Sequence, residues 1–197
     1  MNYREHKLEY RDCRKCILCG QRRRMVFARG NLPAPILFIG EAPGAGEDTL
    51  GIPFVGPAGK LLDKILGIAI DGQVDYAITN LVCCYPKDAK ATKNHVPPKE
   101  AIQACSARLA DFIVLCQPDI IVTVGKLSDK WVPYVLNEWI NWDGVLSSII
   151  HPASILRMDQ SQQSLAMRRS IATLEDVTSQ LKEMNNGEEN NKEKKSS

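Results

Sequence analysis

Seven cysteines in a chain of 197 residues call for a chemical explanation. Cys13 and Cys16 form a C-x-x-C pair, and Cys19 repeats the spacing; Cys83 and Cys84 adjoin, and Cys105 follows after 20 intervening residues. Two thiolates two residues apart can grip one metal centre, because the turn between them aims both sulfurs inward. In a reducing compartment such ligation is a better default than disulfides. Four thiolates suit zinc or an iron–sulfur cluster, and spacing alone leaves both open. Period-two alternation along 76–84 puts Asn80, Val82 and Cys84 on one face and Cys83 on the other. Cys13, Cys16, Cys84 and Cys105 are therefore the expected ligands. Cys19, Cys83 and Cys116 are expected as small buried hydrophobes.

The second chemical region is EAPGAGEDTLGIPFVGPAGKLL, residues 41–62. Six glycines across Gly40–Gly59 predict an extended loop with no helix of its own, whose backbone can approach a ligand closely. It has neither the compact Rossmann fingerprint nor a G-K-[ST] phosphate loop. Glu41, Glu47 and Asp48 accompany the aromatic Phe54 there. A surface loop with glycines at its turns is the plain alternative.

Elements of regular structure must position these groups. Short apolar runs at Pro35–Gly40, Tyr76–Cys84, Asp119–Val124 and Val145–Ile150 read as strands. Helical patterns occupy Gly59–Ala69, Pro98–Cys116, Lys126–Glu138 (interrupted or kinked at Pro133) and Gln162–Met184. Ile/Val-rich strands alternating with helices predict an α/β fold: a three-layer α/β/α sandwich with a central, mainly parallel four-stranded sheet. Ligands of such sheets bind beyond the strand C-termini. That rule selects Gly40–Gly44, Asn80–Cys84, Gly125 and His151, where the sequence is chemically most unusual.

Bulk composition sets outer limits. The apolar share of 44% and charged share of 24% are those of a globular domain, expected over residues 1–184. The polar segment 185–197 is expected as a disordered tail. No apolar run approaches the length of a membrane span, and the charged N-terminus lacks a signal-peptide core. A cytoplasmic location and a monomer are the expectations. Residues 1–30 carry nine Lys/Arg against three acids, which suits a polyanion partner or a solvated surface helix.

The ordered set of motifs resembles the family 4 uracil-DNA glycosylases, the iron–sulfur branch of the uracil-DNA glycosylase superfamily. The resemblance rests on DCRKCILC, GEAPGAGEDTLGIPFVGPAGKLLD, ITNLVCC, Cys105, PDIIVTVG and HPASILR, in that order. It implies excision of uracil from DNA by base flipping, with a 4Fe-4S cluster held by the four cysteines. Phe54 would be the platform for the flipped base. Asn80 would read its edge, and His151 would donate to uracil O2. Glu41 would hold or activate water, although Ala42 follows where other branches carry a catalytic Asp. Gly40, Ala42, Gly44 and Glu47 would shape the pocket, with Glu47 set against a thymine methyl or capping a turn. Leu156 would enter the duplex and Arg157 contact phosphate; a buried helix start is the alternative for this segment.

Two features depart from the pattern. The loop between Cys84 and Cys105 is long and basic (Lys87, Lys90, Lys93) and carries His95. A related branch uses a histidine near this place to bond covalently to the sugar after uracil release, but its arginine-rich run is missing here. Trp131, Trp139 and Trp142 crowd a short connection and could repack the domain, stack on DNA or bind a partner. Turnover of a modified pyrimidine, DNA binding without turnover and covalent capture are the alternatives to uracil excision. A zinc-stabilised nucleotide-binding protein is a more distant one.

Overall fold

Strand-forming runs that are apolar on both faces must be covered twice. In a computed structural model, which describes residues 1–70, 72, 74–87 and 96–195 (side chains to 187), Ile36–Gly40 and Ile120–Val124 are buried throughout, whereas the run from Val145 to Ile149 leaves Leu146 and Ser148 exposed. The strands are β1 (Ala28–Gly30), β2 (Ile36–Gly40), β3 (Tyr76–Asn80), β4 (Ile120–Val124) and β5 (Val145–Ile149). Their order is β1-β3-β2-β4-β5. β3, β2, β4 and β5 are parallel, and β1 lies antiparallel along β3. The sheet thus has five strands, one more than the sequence pattern predicts. β1 is three residues long, one of them Arg29, and carries no apolar period of its own.

The helices are α1 (Tyr3–Tyr10), α2 (Ala45–Leu50), α3 (Pro57–Ala69), α4 (Lys99–Cys116), α5 (Lys126–Trp139), α6 (Pro152–Ile155) and α7 (Gln160–Lys195). Alternation along β2 splits the core into two layers. Leu37 and Ile39 pack with Leu109, Phe112 and Ile113 of α4 and with Val132 and Val135 of α5. Ile36 and Phe38 pack with Leu62, Ile65 and Leu66 of α3 and with Leu174 and Val177 of α7. Each such side chain, fully buried, contributes about 1.5–3 kcal/mol of transfer free energy. Pro57 stands in the first turn of α3, where its fixed φ suits a helix start and no N–H is needed.

Three further expectations change. The glycine-rich loop contains a helix after all, α2, because Glu47 reaches back to accept the Gly44 N–H at 2.7 Å and closes its first turn. β3 ends at Asn80 instead of running on to Cys84. Beyond it the chain is held by Leu81 N–H to Gly40 O, Val82 N–H to Glu41 O and Val26 N–H to Cys83 O, outside the regular ladder, so strand alternation does not govern the two cysteines. α5 continues through Pro133. Trp131 is buried against Tyr134, and the Trp142 indole donates to Pro118 O at 2.9 Å, so both serve packing; Trp139 is half exposed. His95, Lys90 and Lys93 lie outside the described residues.

Candidate active site

β2, β3, β4 and β5 deliver Gly40, Asn80, Val124 and Ile149 to one edge of the sheet. A Cβ on Gly40 would overlap both the Asn80 side-chain oxygen and the Phe54 ring. Glycine there is what lets amide and ring meet at the strand end. Phe54 itself holds a left-handed backbone, φ 55°, which disfavours a residue with a Cβ by about 1–2 kcal/mol. Two features hold it there. A Cβ on Gly59 would collide with the Phe54 carbonyl, and Glu47 accepts the Phe54 and Val55 N–H groups. The Phe54 ring is 4% exposed and lies over His151, centroids 6.0 Å apart and planes 29° apart.

Asn80 is 1% exposed, and neither its Oδ1 nor its Nδ2 has a hydrogen-bond partner among the described residues. A buried polar group left unpaired costs about 1–3 kcal/mol. An amide offers one acceptor and two donors, so this is a complete reading head held ready at the end of β3.

His151 precedes α6, and its Nδ1 accepts the Ala153 N–H at 3.1 Å. The ring proton therefore resides on Nε2. Burial, helped by the charge of Arg157, lowers the imidazole pKa to about 4, so the ring is neutral at pH 7 and still a donor. Glu41 follows β2 directly. A Cβ on Gly125 would come within 2.9 Å of its carboxylate and 2.8 Å of His151 Cβ, so the glycine after β4 lets both converge. Glu41 accepts the Leu127 N–H at 3.4 Å, while burial raises its pKa.

Glu41, Ala42, Gly44, His151 and Arg157 line a cavity of about 200 Å³, together with Val96 and Pro97. Phe54 and Asn80 do not line it; they join the site through Gly40 and through the stack on His151. Arg157 donates to Ser154 at 3.2 Å, and Leu156 is 43% exposed beside it. Glu47 is spent on backbone N–H groups, which places it as a brace for the loop. Asp48, 2% exposed, accepts the Arg23 and Arg24 N–H groups and ties that loop to the basic N-terminal segment.

A second, smaller cavity gathers the sulfurs. Cys13, Cys16, Cys19, Cys83, Cys84 and Cys105 all line it, brought from the N-terminal segment, the turn after β3 and the first half of α4. Arg22 donates to Cys84 Sγ at 3.6 Å and to Cys13 O at 2.8 Å. Burial raises the thiols of Cys16 and Cys84, the latter to about 12. Among the described residues, no three Cys, His, Asp or Glu groups are placed to hold a single metal ion. Cys116 stands apart, its thiol on Ala34 O at 3.6 Å. One group escaped the sequence reading. Arg108 sits fully buried in α4, one turn beyond Cys105, and its signal was a charged residue beside an apolar helical stripe.

Comparison with known proteins shows the family. Residues 27–175 match the uracil DNA glycosylase superfamily, and the chain belongs to that family. Within it, the chain is similar to proteins named type-4 uracil-DNA glycosylase. The one from Thermotoga maritima is 33% identical over 85% of this chain and 86% of its own length. The one from Saccharolobus solfataricus is 44% identical over 63% of this chain, which spans 56% of that protein's length. In fold, the chain is similar to the crystal structure of Pedobacter heparinus SMUG2, with a TM-score of 0.56 at 15% identity, covering 74% of this chain and 76% of that one.

Proposed function

We propose that this protein is a uracil-DNA glycosylase, hydrolysing the N-glycosidic bond of a uracil flipped out of DNA. The observation that carries the reading is the buried Asn80 amide, without a hydrogen-bond partner among the described residues, beside a Phe54 ring that stacks on a neutral, proton-donating His151. Phe54 stacks on the flipped base. Asn80 Nδ2–H donates to uracil O4, and Oδ1 accepts from N3–H. Cytosine presents the opposite donor and acceptor pattern and is refused. As the bond breaks, negative charge grows on uracil, and His151 Nε2–H donates to O2. A neutral donor suits this task because it enters a buried site without a desolvated charge. Glu41 holds the water that attacks the sugar, its carboxylate supported by the nearby charge of Arg157. Ala42 follows it, so Glu41 acts without a neighbouring Asp. Leu156 fills the gap in the duplex and Arg157 meets phosphate, with the basic N-terminal segment adding further phosphate contacts.

Cys13, Cys16, Cys84 and Cys105 hold a 4Fe-4S cluster in this reading. The donor set fits: sulfurs from three chain segments line one cavity, and four thiolates are the usual ligand set of such a cluster. Thiols raised by burial become ligands when a cationic centre takes their protons. The cluster braces the N-terminal segment against β3 and α4. In this reading the protein acts as a monomer on uracil-containing DNA inside the cell.

The test is incubation with a uracil-containing oligonucleotide followed by alkali. Strand scission at uracil, absent at cytosine and thymine, is the expected result. An intact strand overturns the proposal, and a protein–DNA adduct that survives denaturant points to covalent capture instead.

A further inference from the structure

Arg22 is half-buried and lines the sulfur cavity. The short helical turn Ile17–Gly20 follows Cys16, and the Arg22 N–H closes on Leu18 O at 3.2 Å, so the chain returns to the cavity that Cys13 and Cys16 line. There the guanidinium meets two chain segments. Nη1 donates to Cys84 Sγ at 3.6 Å, and Nη2 donates to Cys13 O at 2.8 Å and Arg11 O at 3.5 Å. Cys13 and Cys84 are both proposed ligands. Among the described residues the ion pairs are Arg11–Asp12 and Arg29–Asp63, and neither gives Arg22 a carboxylate. The residues around it stitch the same segment to the turn after β3. Gln21 Oε1 accepts the Lys87 N–H at 3.0 Å, and Val26 N–H donates to Cys83 O at 2.9 Å.

We propose that Arg22 is a positioning residue of the sulfur centre: it donates to the Cys84 ligand sulfur, pins the Cys13 ligand loop by its carbonyl, and joins both to the strap 21–26. The inference rests on the cluster reading above. A thiolate bound to iron keeps lone pairs that accept N–H donors, and such hydrogen bonds help to set a cluster's potential. A cluster held by four thiolates is net negative, so a cation without a carboxylate finds its counter-charge there. The planar fork suits the task, because two nitrogens of one guanidinium reach a sulfur and a carbonyl from different segments, which a single ammonium does not reproduce. Beyond Arg22, the Arg23 and Arg24 N–H groups end on Asp48 of α2, at 2.8 Å and 3.4 Å. That helix carries Glu47, which accepts the Phe54 and Val55 N–H groups. One strap thus connects the sulfur centre, outside the substrate cavity, to the loop that bears Phe54.

The experiment compares full-length, cluster-loaded protein with Arg22→Gln. Arg23→Gln is the neighbouring control, because Arg23 is exposed and does not line the sulfur cavity. Wild-type protein is first checked for visible absorption and iron; a colourless, iron-free protein refutes the cluster itself, separately from Arg22. In a loaded protein, Arg22→Gln moves the cluster's midpoint potential to more negative values, because a cationic donor to a ligand sulfur is gone. It releases iron to a chelator roughly 10- to 100-fold faster, the range usual for a lost outer partner of a metal site. Hydrogen exchange across residues 22–26 quickens with it. Arg23→Gln keeps the wild-type potential. If Arg22→Gln takes up no iron, wild type labelled with guanidino-15N arginine decides. Pulsed EPR of the reduced cluster then shows a 15N coupling, Arg22 being the arginine among the described residues that line the cavity. An unchanged potential or unchanged exchange in loaded Arg22→Gln, an equal shift of potential in Arg23→Gln, or the absence of the 15N coupling overturns the proposal.

Discussion

His151 Nδ1 accepts the backbone N–H of Ala153 at 3.1 Å, and this bond settles which face of the imidazole can act. With Nδ1 occupied as an acceptor, the proton sits on Nε2, and burial keeps the ring uncharged at neutral pH.

A pH profile follows from that ring. The His151 pKa is lowered from 6.5 to about 4, so kcat shows no loss from this group between pH 5 and 9 and changes only as pH falls through about 4. The sign for stability is the same. The unfolded chain takes up the proton near the ordinary histidine value and the folded one only at lower pH. Folding stability therefore declines as pH drops from about 6.5 towards 4 and levels off below. NMR titration of the imidazole checks both. His151→Ala removes a donor aimed at developing charge and lowers kcat by roughly 100- to 1,000-fold.

Asn80→Leu separates stability from function. The substitution removes a buried amide with no hydrogen-bond partner among the described residues and keeps a similar volume. We expect unfolding free energy to rise by about 1–3 kcal/mol in denaturant melts while uracil excision falls by at least roughly 100-fold. A destabilised variant would show that the amide is satisfied in the folded protein.

Gly40→Ala and Gly46→Ala form a matched pair. A Cβ at Gly40 overlaps Asn80 and Phe54, whereas a Cβ at Gly46 meets nothing within 4 Å. Gly40→Ala loses most activity and about 1–3 kcal/mol of stability. Gly46→Ala keeps activity and gains a few tenths to about 1 kcal/mol, as expected for alanine replacing glycine within α2.

The cysteines divide by location. Serine at Cys13, Cys16, Cys84 or Cys105 abolishes the brown absorption of the cluster and lowers the melting temperature. Serine at Cys116, whose thiol donates to Ala34 O away from the sulfur cavity, leaves the absorption intact. Chelation of released iron after oxidation lowers the melting temperature of wild type in the same way.

The parts of the fold legible in the sequence were those with a physical period. β2 and β4 are buried on both faces, and their unbroken Ile, Leu, Phe and Val runs announced them. β1 was hidden because Ala28, Arg29 and Gly30 pair with β3 through backbone alone. α2 was hidden because Gly44, Gly46 and Gly51 mark a loop by propensity, whereas the Glu47 carboxylate and the left-handed Gly51 at its end define a helix by capping. The strand ends named Asn80, Gly125 and His151 in advance. Arg108 went unnoticed because its partners are backbone carbonyls 27 and 28 residues away, which no local spacing encodes.

The decisive measurement is cleavage of one duplex oligonucleotide carrying uracil, compared with the same sequence carrying cytosine, by wild type and by Asn80→Leu. Wild type should release free uracil and leave an alkali-labile site, ignore cytosine, and lose this activity in the variant. Equal cleavage by wild type and Asn80→Leu, or release of neither base, would contradict a buried amide that reads an extruded uracil.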